Sequence, residues 1–268
     1  MRVRITAIGD NCVDEYVEPV GRRFAGGNAF NVAVQVARLG LPSEYMGAVG
    51  DDPDGRALKS VLELEGVEVD RLRVLHGPTA VTRIEIREGG ERVFLSEELG
   101  VVADYSPSRA DLVHAAGSNL VHGAGLAQVR EFLEALGRAG ARASYDFSTS
   151  DAPSDLHVLD VAFFASRPGT APLDLARFAT SSGATAAVVT CGSQGSVAVE
   201  GDVVEEVPAA RIDPVDTTGA GDAYIAAFLV ERLSGAHLRE CMLTASTVAT
   251  KACLHLGGSP RAELHGEV

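Results

Sequence analysis

A string of small and acidic residues near the C-terminus carries the strongest chemical signal in the sequence. It reads Asp216-Thr217-Thr218-Gly219-Ala220-Gly221-Asp222 and leads directly into an apolar-periodic stretch that predicts a helix. Glycines let a ligand approach the bare backbone closely. The first N–H groups of a helix have no partner inside the helix and lie at its positive end. The string therefore predicts an anion site at a helix N-terminus.

Asp222 would lie in the first turn of this helix, beside the anion site. There it could accept the proton of an attacking hydroxyl while the backbone of Gly219, Ala220 and Gly221 holds phosphoryl oxygens. An aspartate at such a place more often only caps the helix. The complete string favours the catalytic interpretation, with Asp222 as general base.

Strand-like apolar runs alternate with helical patterns along nearly the whole chain, and these elements must position the string. The predicted strands are 5–9, 44–49, 119–123, 143–147 and 186–190, and the predicted helices are 28–39, 56–65, 128–139, 220–233 and 238–256. Alternation of this kind predicts an α/β fold with a doubly wound, mainly parallel sheet.

One stretch breaks the alternation of strands and helices. Residues 79–86 and 92–96 each alternate between apolar and polar side chains, and Gly89-Gly90 lies between them. Two such runs around a glycine pair predict a β-hairpin. The hairpin is either an edge of the main sheet or a lid over a binding site, and the absence of a helical partner favours the lid.

Composition and charge restrict the classes of function. The chain has 268 residues, 46% of them hydrophobic, and a formal net charge of −14. Such a charge argues against nucleic acid and anionic membranes as partners, since both attract Lys and Arg clusters. No run of about 18 apolar residues and no signal-peptide pattern occurs, so we expect a cytoplasmic location. The four cysteines lack metal or redox spacing and are expected to be free thiols.

Four motifs together resemble the ribokinase-like PfkB family of carbohydrate kinases. Besides the string at 216–222, they are Gly26-Gly27-Asn28-Ala29, the turn Thr190-Cys191-Gly192-Ser193-Gln194-Gly195, and Gly9-Asp10-Asn11-Cys12-Val13-Asp14. They occur in the family's order. The resemblance implies a ribokinase-like three-layer α/β/α sheet, one kinase domain over residues 1–268 with a small β-hairpin lid at about 77–105, and transfer of phosphate from ATP to a sugar with Mg²⁺.

The resemblance also implies a role for each matching position. Asp14 would accept hydrogen bonds from sugar hydroxyls, for which a carboxylate is the natural bidentate acceptor. The other sugar contacts would be Asn11, Gly26, Gly27 and Asn28. The nucleotide contacts would be Thr190, Gly192, Gly195, Thr218, Gly219 and Gly221. Asp216 and Thr218, with the Gly257-Gly258 segment, would offer oxygens to a monovalent cation such as K⁺.

The sequence departs from the family pattern at one motif. Many members carry Asn-x-x-Glu midway along the chain, where it handles magnesium and phosphate. Here the equivalent stretch reads Ala165-Ser166-Arg167-Pro168. We therefore expect nucleotide oxygens and water to hold most of the Mg²⁺ coordination. Arg167 would either add positive charge near the phosphates or lie on the surface.

Within the family, the wording of several segments is similar to that of the fructoselysine kinases, which also lack the middle motif. These segments are 7–14, 26–34, 49–52, 76–80, 92–94 and 146–148. The similarity implies phosphorylation of the 6-hydroxyl of a fructosamine, and it leaves room for a homodimer. The lid region carries five glutamates, at 85, 88, 91, 97 and 98. Any one of them could attract the substrate's ammonium group, while most are expected to be solvated surface charges.

Three other classes of function remain as alternatives. One is a kinase for ribose, fructose, tagatose or a nucleoside, and another is a non-catalytic sugar-binding relative. The third, a dinucleotide-dependent oxidoreductase, would need Gly-x-Gly-x-x-Gly after the first strand, where the chain has Gly9-Asp10-Asn11 instead.

Overall fold

A mainly parallel sheet of eight strands forms the centre of the structure, a computed structural model that describes residues 3–87, 90, 92–259 and 262–264. The strands are β1 (Ile5–Gly9), β2 (Cys12–Tyr16), β3 (Arg23–Gly26), β4 (Ser43–Met46), β5 (Ala48–Gly50), β6 (Arg73–Leu75), β7 (Val81–Ile86), β8 (Arg92–Glu98), β9 (Leu120–Ala124), β10 (Ala143–Asp146), β11 (Leu159–Ala165), β12 (Ala186–Thr190), β13 (Ser196–Glu200) and β14 (Val203–Val207). The helices are α1 (Asn28–Arg38), α2 (Pro53–Leu64), α3 (Arg109–Ala115), α4 (Val129–Ala139), α5 (Pro172–Ser181), α6 (Ala220–Ser234) and α7 (Leu238–Ala252).

The central sheet has helices on both faces, so the predicted three-layer α/β/α architecture is confirmed. Its strand order is β14-β13-β12-β11-β10-β9-β1-β4, with only β13 and β14 antiparallel to their neighbours. One face packs against α3, α4 and α5, and the other against α1, α6 and α7. Because parallel strands end at the same edge, the residues that follow β1, β9, β10, β11 and β12 gather there.

Strand β12 shows why this sequence forms a sheet covered on both sides. Ala187 and Val189 pack with the α3–α5 layer, while Ala186 and Val188 pack with the α6–α7 layer. All four side chains are fully buried. A continuous apolar run is what a parallel strand with two covered faces requires.

The strand predicted at 44–49 is wrong as a single element. The chain turns at Gly47, and β4 joins the central sheet while β5 pairs with β6 in a separate two-stranded sheet. A side chain at Gly47 would collide with the hydroxyl of Tyr45, so the break depends on a close contact that hydrophobic periodicity does not reveal.

The predicted hairpin is confirmed as β7 and β8, and it forms half of a second sheet of four strands. Its strand order is β3-β2-β7-β8, so the hairpin is not an edge of the central sheet. We call this four-stranded unit the lid sheet. Sequence analysis missed β2 and β3 because both are short and β2 carries Asp14 and Glu15.

One face of the lid sheet points at the N-terminus of α6. Tyr16 donates from its hydroxyl to Asp216, and the ring of Phe24 lies against Gly257. Paired residues share a face, and the register pairs Tyr16 with Ile84 and Ile84 with Phe94. We call this side of the lid sheet the inner face.

The hairpin end of the lid sheet contacts the loop before α6. The carbonyl of Gly90 accepts the backbone N–H of Thr217 at 3.3 Å. Gly90 has φ +72°, and a Cβ there would lie 2.6 Å from the carbonyl oxygen of Pro214. A residue without a side chain is therefore needed for the hairpin to dock on this loop.

Candidate active site

Helix α6 begins with exposed backbone donors, as the string at its N-terminus predicts. Gly219 is the N-cap with φ +73°, and no side chain caps the helix. Within the described part of the chain, the amides of Gly221 and Asp222 have no hydrogen-bond acceptor. A Cβ at Gly221 would meet no atom within 4 Å. These amides can receive phosphoryl oxygens without giving up an existing bond.

Asp222 is buried beside these donors and does not cap the helix. Its Oδ2 accepts a hydrogen bond of 2.8 Å from Nδ2 of Asn31, on α1. Burial raises the pKa of Asp222 to about 8, with the Asn31 hydrogen bond and Arg92 acting in the opposite direction. Asp146 and Asp10 raise this pKa further by charge repulsion. A carboxyl with a pKa near neutrality suits a general base.

Asp14 lies on the inner face of the lid sheet and is 4% exposed. Burial raises its pKa to about 7, although the Cys12 thiol, which donates to Oδ1 at 3.3 Å, and Arg92 both act to lower it. Gly26 lies on the neighbouring strand β3, paired with Cys12, and a side chain there would collide with this carboxyl group. Asp14 and Gly26 thus lie together, as expected for a sugar-binding site.

The remaining predicted sugar contacts surround the start of α1. The backbone N–H groups of Asn28 and Ala29 donate to the carboxylate of Asp10 at 3.1 and 2.9 Å, so Asp10 is the capping group. The Asn28 side chain has no hydrogen-bond partner among the described residues and remains able to bind a hydroxyl. A side chain at Gly27 would collide with the backbone of Asn11.

Asn11 mainly supports the structure. Its Nδ2 donates to the hydroxyl of Tyr45 at 2.9 Å and to the carbonyl of Ala48 at 2.7 Å. Only Oδ1, which is buried and has no partner in the part of the chain that the structure describes, is left for a substrate hydroxyl.

Asp216 is fully buried and accepts three hydrogen bonds. The donors are the hydroxyl of Tyr16 at 2.6 Å and the amides of Gly257 and Thr218 at 2.9 and 2.8 Å. Asp216 therefore ties the lid sheet, the α6 loop and the 257–258 turn together. Oγ1 of Thr218 is buried without a described partner. No group of three or more His, Cys, Asp or Glu side chains suited to a metal occurs among the described residues.

Three of the predicted nucleotide contacts, Thr190, Gly192 and Gly195, lie at the end of β12, and the other three lie at the start of α6. Gly192 and Gly195 have φ +55° and +102°, and the Cys191 amide closes the turn on the carbonyl of Gly195. Arg167 follows β11 and donates to the carbonyls of Phe147 and Ser148, both at 3.3 Å. Arg167 thus lies at the same edge of the sheet as this turn.

The structure adds site residues that sequence analysis did not assign. Asp10, Asn31 and Asp146 lie around Asp222, and Arg92 projects from the inner face of the lid sheet. Asp146 is buried, and burial raises its pKa to about 6. Asn31 had one available signal, because it lies one helical turn after Asn28 on the same face of α1.

Comparison with known proteins decides the family. A profile described as "pfkB family carbohydrate kinase" matches residues 16–151 and 159–263. The chain belongs to the PfkB family of carbohydrate kinases. This PfkB kinase is therefore an ATP-dependent sugar kinase, as predicted, and the comparisons support neither of the alternatives, a non-catalytic relative or an oxidoreductase.

Two relatives of this PfkB kinase act on sugar amines, according to their names. It is 34% identical over 258 residues to the fructoselysine 6-kinase of Shigella flexneri, covering 94% of this chain and 98% of that one. It is 32% identical over 260 residues to a fructosamine kinase of Bacillus subtilis, covering 94% and 91%. The structure of Arabidopsis thaliana ribokinase with ribose and ATP superposes with a TM-score of 0.81 at 23% identity, covering 96% and 94% of the two chains. The latter likeness confirms the fold.

Proposed function

We propose that this kinase transfers the γ-phosphoryl group of ATP to the 6-hydroxyl of a fructosamine such as fructoselysine. The observation that carries the chemistry is the buried Asp222 beside the unpaired amides of Gly221 and Asp222 itself. The names of the two sugar-amine kinase relatives support the substrate.

Different residues of the site bind the sugar, accept the proton and stabilise the transferring group. Asp14 and Asn28 hold the sugar hydroxyls, and Asp222 takes the proton of the 6-hydroxyl as its oxygen attacks the γ-phosphorus. The bond from phosphorus to the ADP oxygen breaks, and the amides at the start of α6 stabilise the charge on the transferring group. The turn containing Thr190, Gly192 and Gly195 would lie beside the nucleotide.

Magnesium fits this site as an ion carried by the nucleotide. No cluster of acidic side chains suited to a metal occurs among the described residues, and Ala165 and Pro168 stand where the family's middle motif would contribute ligands, so nucleotide oxygens and water would hold most of the ion. Bound with ATP, the ion would neutralise phosphate charge in this acidic site. A monovalent cation would have to share the oxygens of Asp216 with the three hydrogen bonds that they already accept, so this carboxylate is a poorer cation ligand than the sequence suggested.

One lid glutamate is well placed for the ammonium group of a fructosamine. The register runs Asp14–Thr82–Glu97, so Glu97 lies on the inner face, two strands or about 10 Å from Asp14. Glu98 is the next residue and points to the opposite face. Glu85 is paired with Arg87 at 3.0 Å, and the glutamates at 88 and 91 lie outside the described residues.

The substrate is tested by measuring ADP release with fructoselysine, fructose, ribose, tagatose and a nucleoside at equal ATP. We expect fructoselysine to give the highest kcat/KM, by roughly ten- to a hundred-fold, because a charged hydrogen bond is worth about 1.5–3 kcal/mol. If a plain sugar or a nucleoside gives a kcat/KM equal to that of fructoselysine, the enzyme is a sugar kinase of another specificity.

A matched pair of lid variants adds a second arm to this measurement. Glu97→Gln should reduce kcat/KM for fructoselysine and leave fructose unchanged, since fructose has no ammonium group. Glu98→Gln is the control, because it removes the same charge from the opposite face. Equal effects of the two variants would exclude the proposed role of Glu97. They would not contradict fructoselysine as the substrate.

A further inference from the structure

The side chain of Asn31 joins α1 to the proposed base. Asn31 is 4% exposed, and its Nδ2 donates to Oδ2 of Asp222 at 2.8 Å across 191 positions of the chain. The amide nitrogen faces the carboxylate because two acceptor oxygens would repel one another. A hydrogen bond from a buried amide to a carboxylate favours one orientation of that carboxylate.

We propose that Asn31 is a positioning residue for the base: its amide holds Oδ2 of Asp222 and leaves Oδ1 to take the proton. In the transfer step, the hydroxyl proton passes to Oδ1 while the sugar oxygen bonds to the γ-phosphorus and ADP departs. This inference rests on the proposed role of Asp222 and does not depend on which sugar is the substrate.

The turn at 257–258 holds Asn31 in place. Gln35, one turn further along α1, donates from Nε2 to the carbonyl of Gly258 at 3.1 Å. A Cβ at Gly258 would lie 2.6 Å from Oδ1 of Asn31, and a Cβ at Gly219 would lie 2.6 Å from Cα of Gly258. Gly258 therefore fits between Asn31 and the loop that forms the anion site. The same turn supports both parts of the catalytic arrangement.

The charges around Asp222 make this hydrogen bond important for its protonation. Burial raises the pKa of Asp222, and so do Asp146 from the end of β10 and Asp10 from the end of β1. Opposing them are the hydrogen bond from Asn31 and, to a smaller extent, the positive charge of Arg92 from β8. Without the Asn31 donor, less of the carboxylate would be present at neutral pH.

The experiment compares Asn31→Leu with Ser43→Ala, which removes a buried hydrogen bond of 2.7 Å to the carbonyl of Ala33 on the same helix, away from Asp222 and from the 257–258 turn. Steady-state rates with the preferred sugar are measured from pH 5.5 to 9.5. We expect Asn31→Leu to move the acid limb of the kcat profile up by about one to two pH units, because it removes a charged hydrogen bond. At pH 7, kcat should fall about 10- to 100-fold with little change in KM for the sugar. Ser43→Ala should lower Tm without moving the limb.

Two further measurements test the proposal if the Asn31→Leu protein folds poorly. In Gly258→Ala, the added methyl group pushes on the amide of Asn31, so the acid limb should move in the same direction by a smaller amount. Carbon-13 NMR of labelled aspartate carboxyls, with the Asp222 signal assigned from Asp222→Asn, gives the pKa of Asp222 without turnover.

The outcomes separate this inference from the proposed base. If Asp222 titrates at the same pH in the wild type and both variants, Asn31 has no positioning role. If Asp222→Asn keeps wild-type kcat, the base assignment fails and the Asn31 inference fails with it. An acid limb that moves equally in Ser43→Ala would indicate a general packing effect and would also overturn the proposal.

Discussion

Asp222 is the residue on which the proposed chemistry depends most directly. The string that contains it was sufficient to predict an anion site and a base, and the structure places its carboxyl group beside unpaired amides in a buried position. Burial alone would keep the carboxyl protonated at neutral pH. The residues that oppose this effect, Asn31 and Arg92, come from α1 and β8 and are distant in sequence.

Replacing Asp222 by asparagine should preserve the shape of the site and remove its ability to take a proton. We expect kcat to fall by about 10²–10⁴-fold under conditions in which chemistry limits turnover, with a small change in KM for ATP. Asp202→Asn, an exposed carboxylate in the turn between β13 and β14, is the control and should retain full activity. A variant at Asp222 with more than about a third of the wild-type kcat would refute the assignment.

At the scale of elements, the lid sheet is the unit that completes the site. It carries Asp14 and Arg92 on its inner face, and it is tied to the catalytic loop through Tyr16–Asp216 and Gly90–Thr217. Gly90 is buried against the loop before α6, so its hydrogen bond to Thr217 is shielded from water. We expect the lid sheet to close further when ligands bind, with the buried Tyr16–Asp216 contact as its pivot.

Hydrogen exchange tests closure of this lid. Amides of residues 81–87 and 92–98 should exchange more slowly when sugar and a nonhydrolysable ATP analogue bind, because closure excludes water from the reacting phosphoryl group. The hairpin of β13 and β14, at the opposite end of the central sheet, is an internal control that should not change. Unchanged exchange in the lid on binding both ligands would contradict closure.

At the scale of the whole molecule, an acidic protein has to bind ATP, which is itself strongly anionic. With a net charge of −14, the chain offers ATP local positive potential through the start of α6, and the carboxyls of Asp14, Asp146 and Asp222 have raised pKa values. Partial protonation reduces the repulsion among these groups in the absence of ligand. No helix of the described chain is long and apolar enough to cross a bilayer.

These raised pKa values predict how stability depends on pH. A carboxyl whose pKa is higher in the folded state holds more protons there, so its stabilising contribution is complete below about pH 4 and declines as pH rises through the folded value. For Asp14, Asp146 and Asp222, with pKa values of about 7, 6 and 8 in the folded state, the decline begins near pH 4 and is complete once the pH has passed each of these values.

Asp222→Asn isolates one of these contributions. Its Tm without ligand should match the wild type near pH 4 and exceed it at pH 9, by about 2–4 °C for each kcal/mol recovered. Differential scanning fluorimetry at both pH values measures this difference. Asp202→Asn should show no such divergence, and a constant offset between wild type and Asp222→Asn would mean that Asp222 titrates normally.

The sequence by itself determined the alternation of strands and helices, the hairpin and the four motifs, because these depend on local periodicity and on glycines at fixed spacing. It predicted Asp222 as a functional residue from the types of its neighbours, and Asp14 through the resemblance of residues 9–14 to the PfkB family. It did not determine that Asp14 lies on a strand of a second sheet, since β2 is short and polar and is formed only by pairing with β3 and β7.

Tertiary structure alone decided which distant residues surround the base. Asn31 and Asp222 are 191 positions apart, and Tyr16 and Asp216 are 200 apart, so no local pattern could link them. The pKa of Asp222 depends on burial and on charges that arrive from β1, β8 and β10. Coulomb and desolvation effects act through space, and their sum is fixed only when the elements have packed.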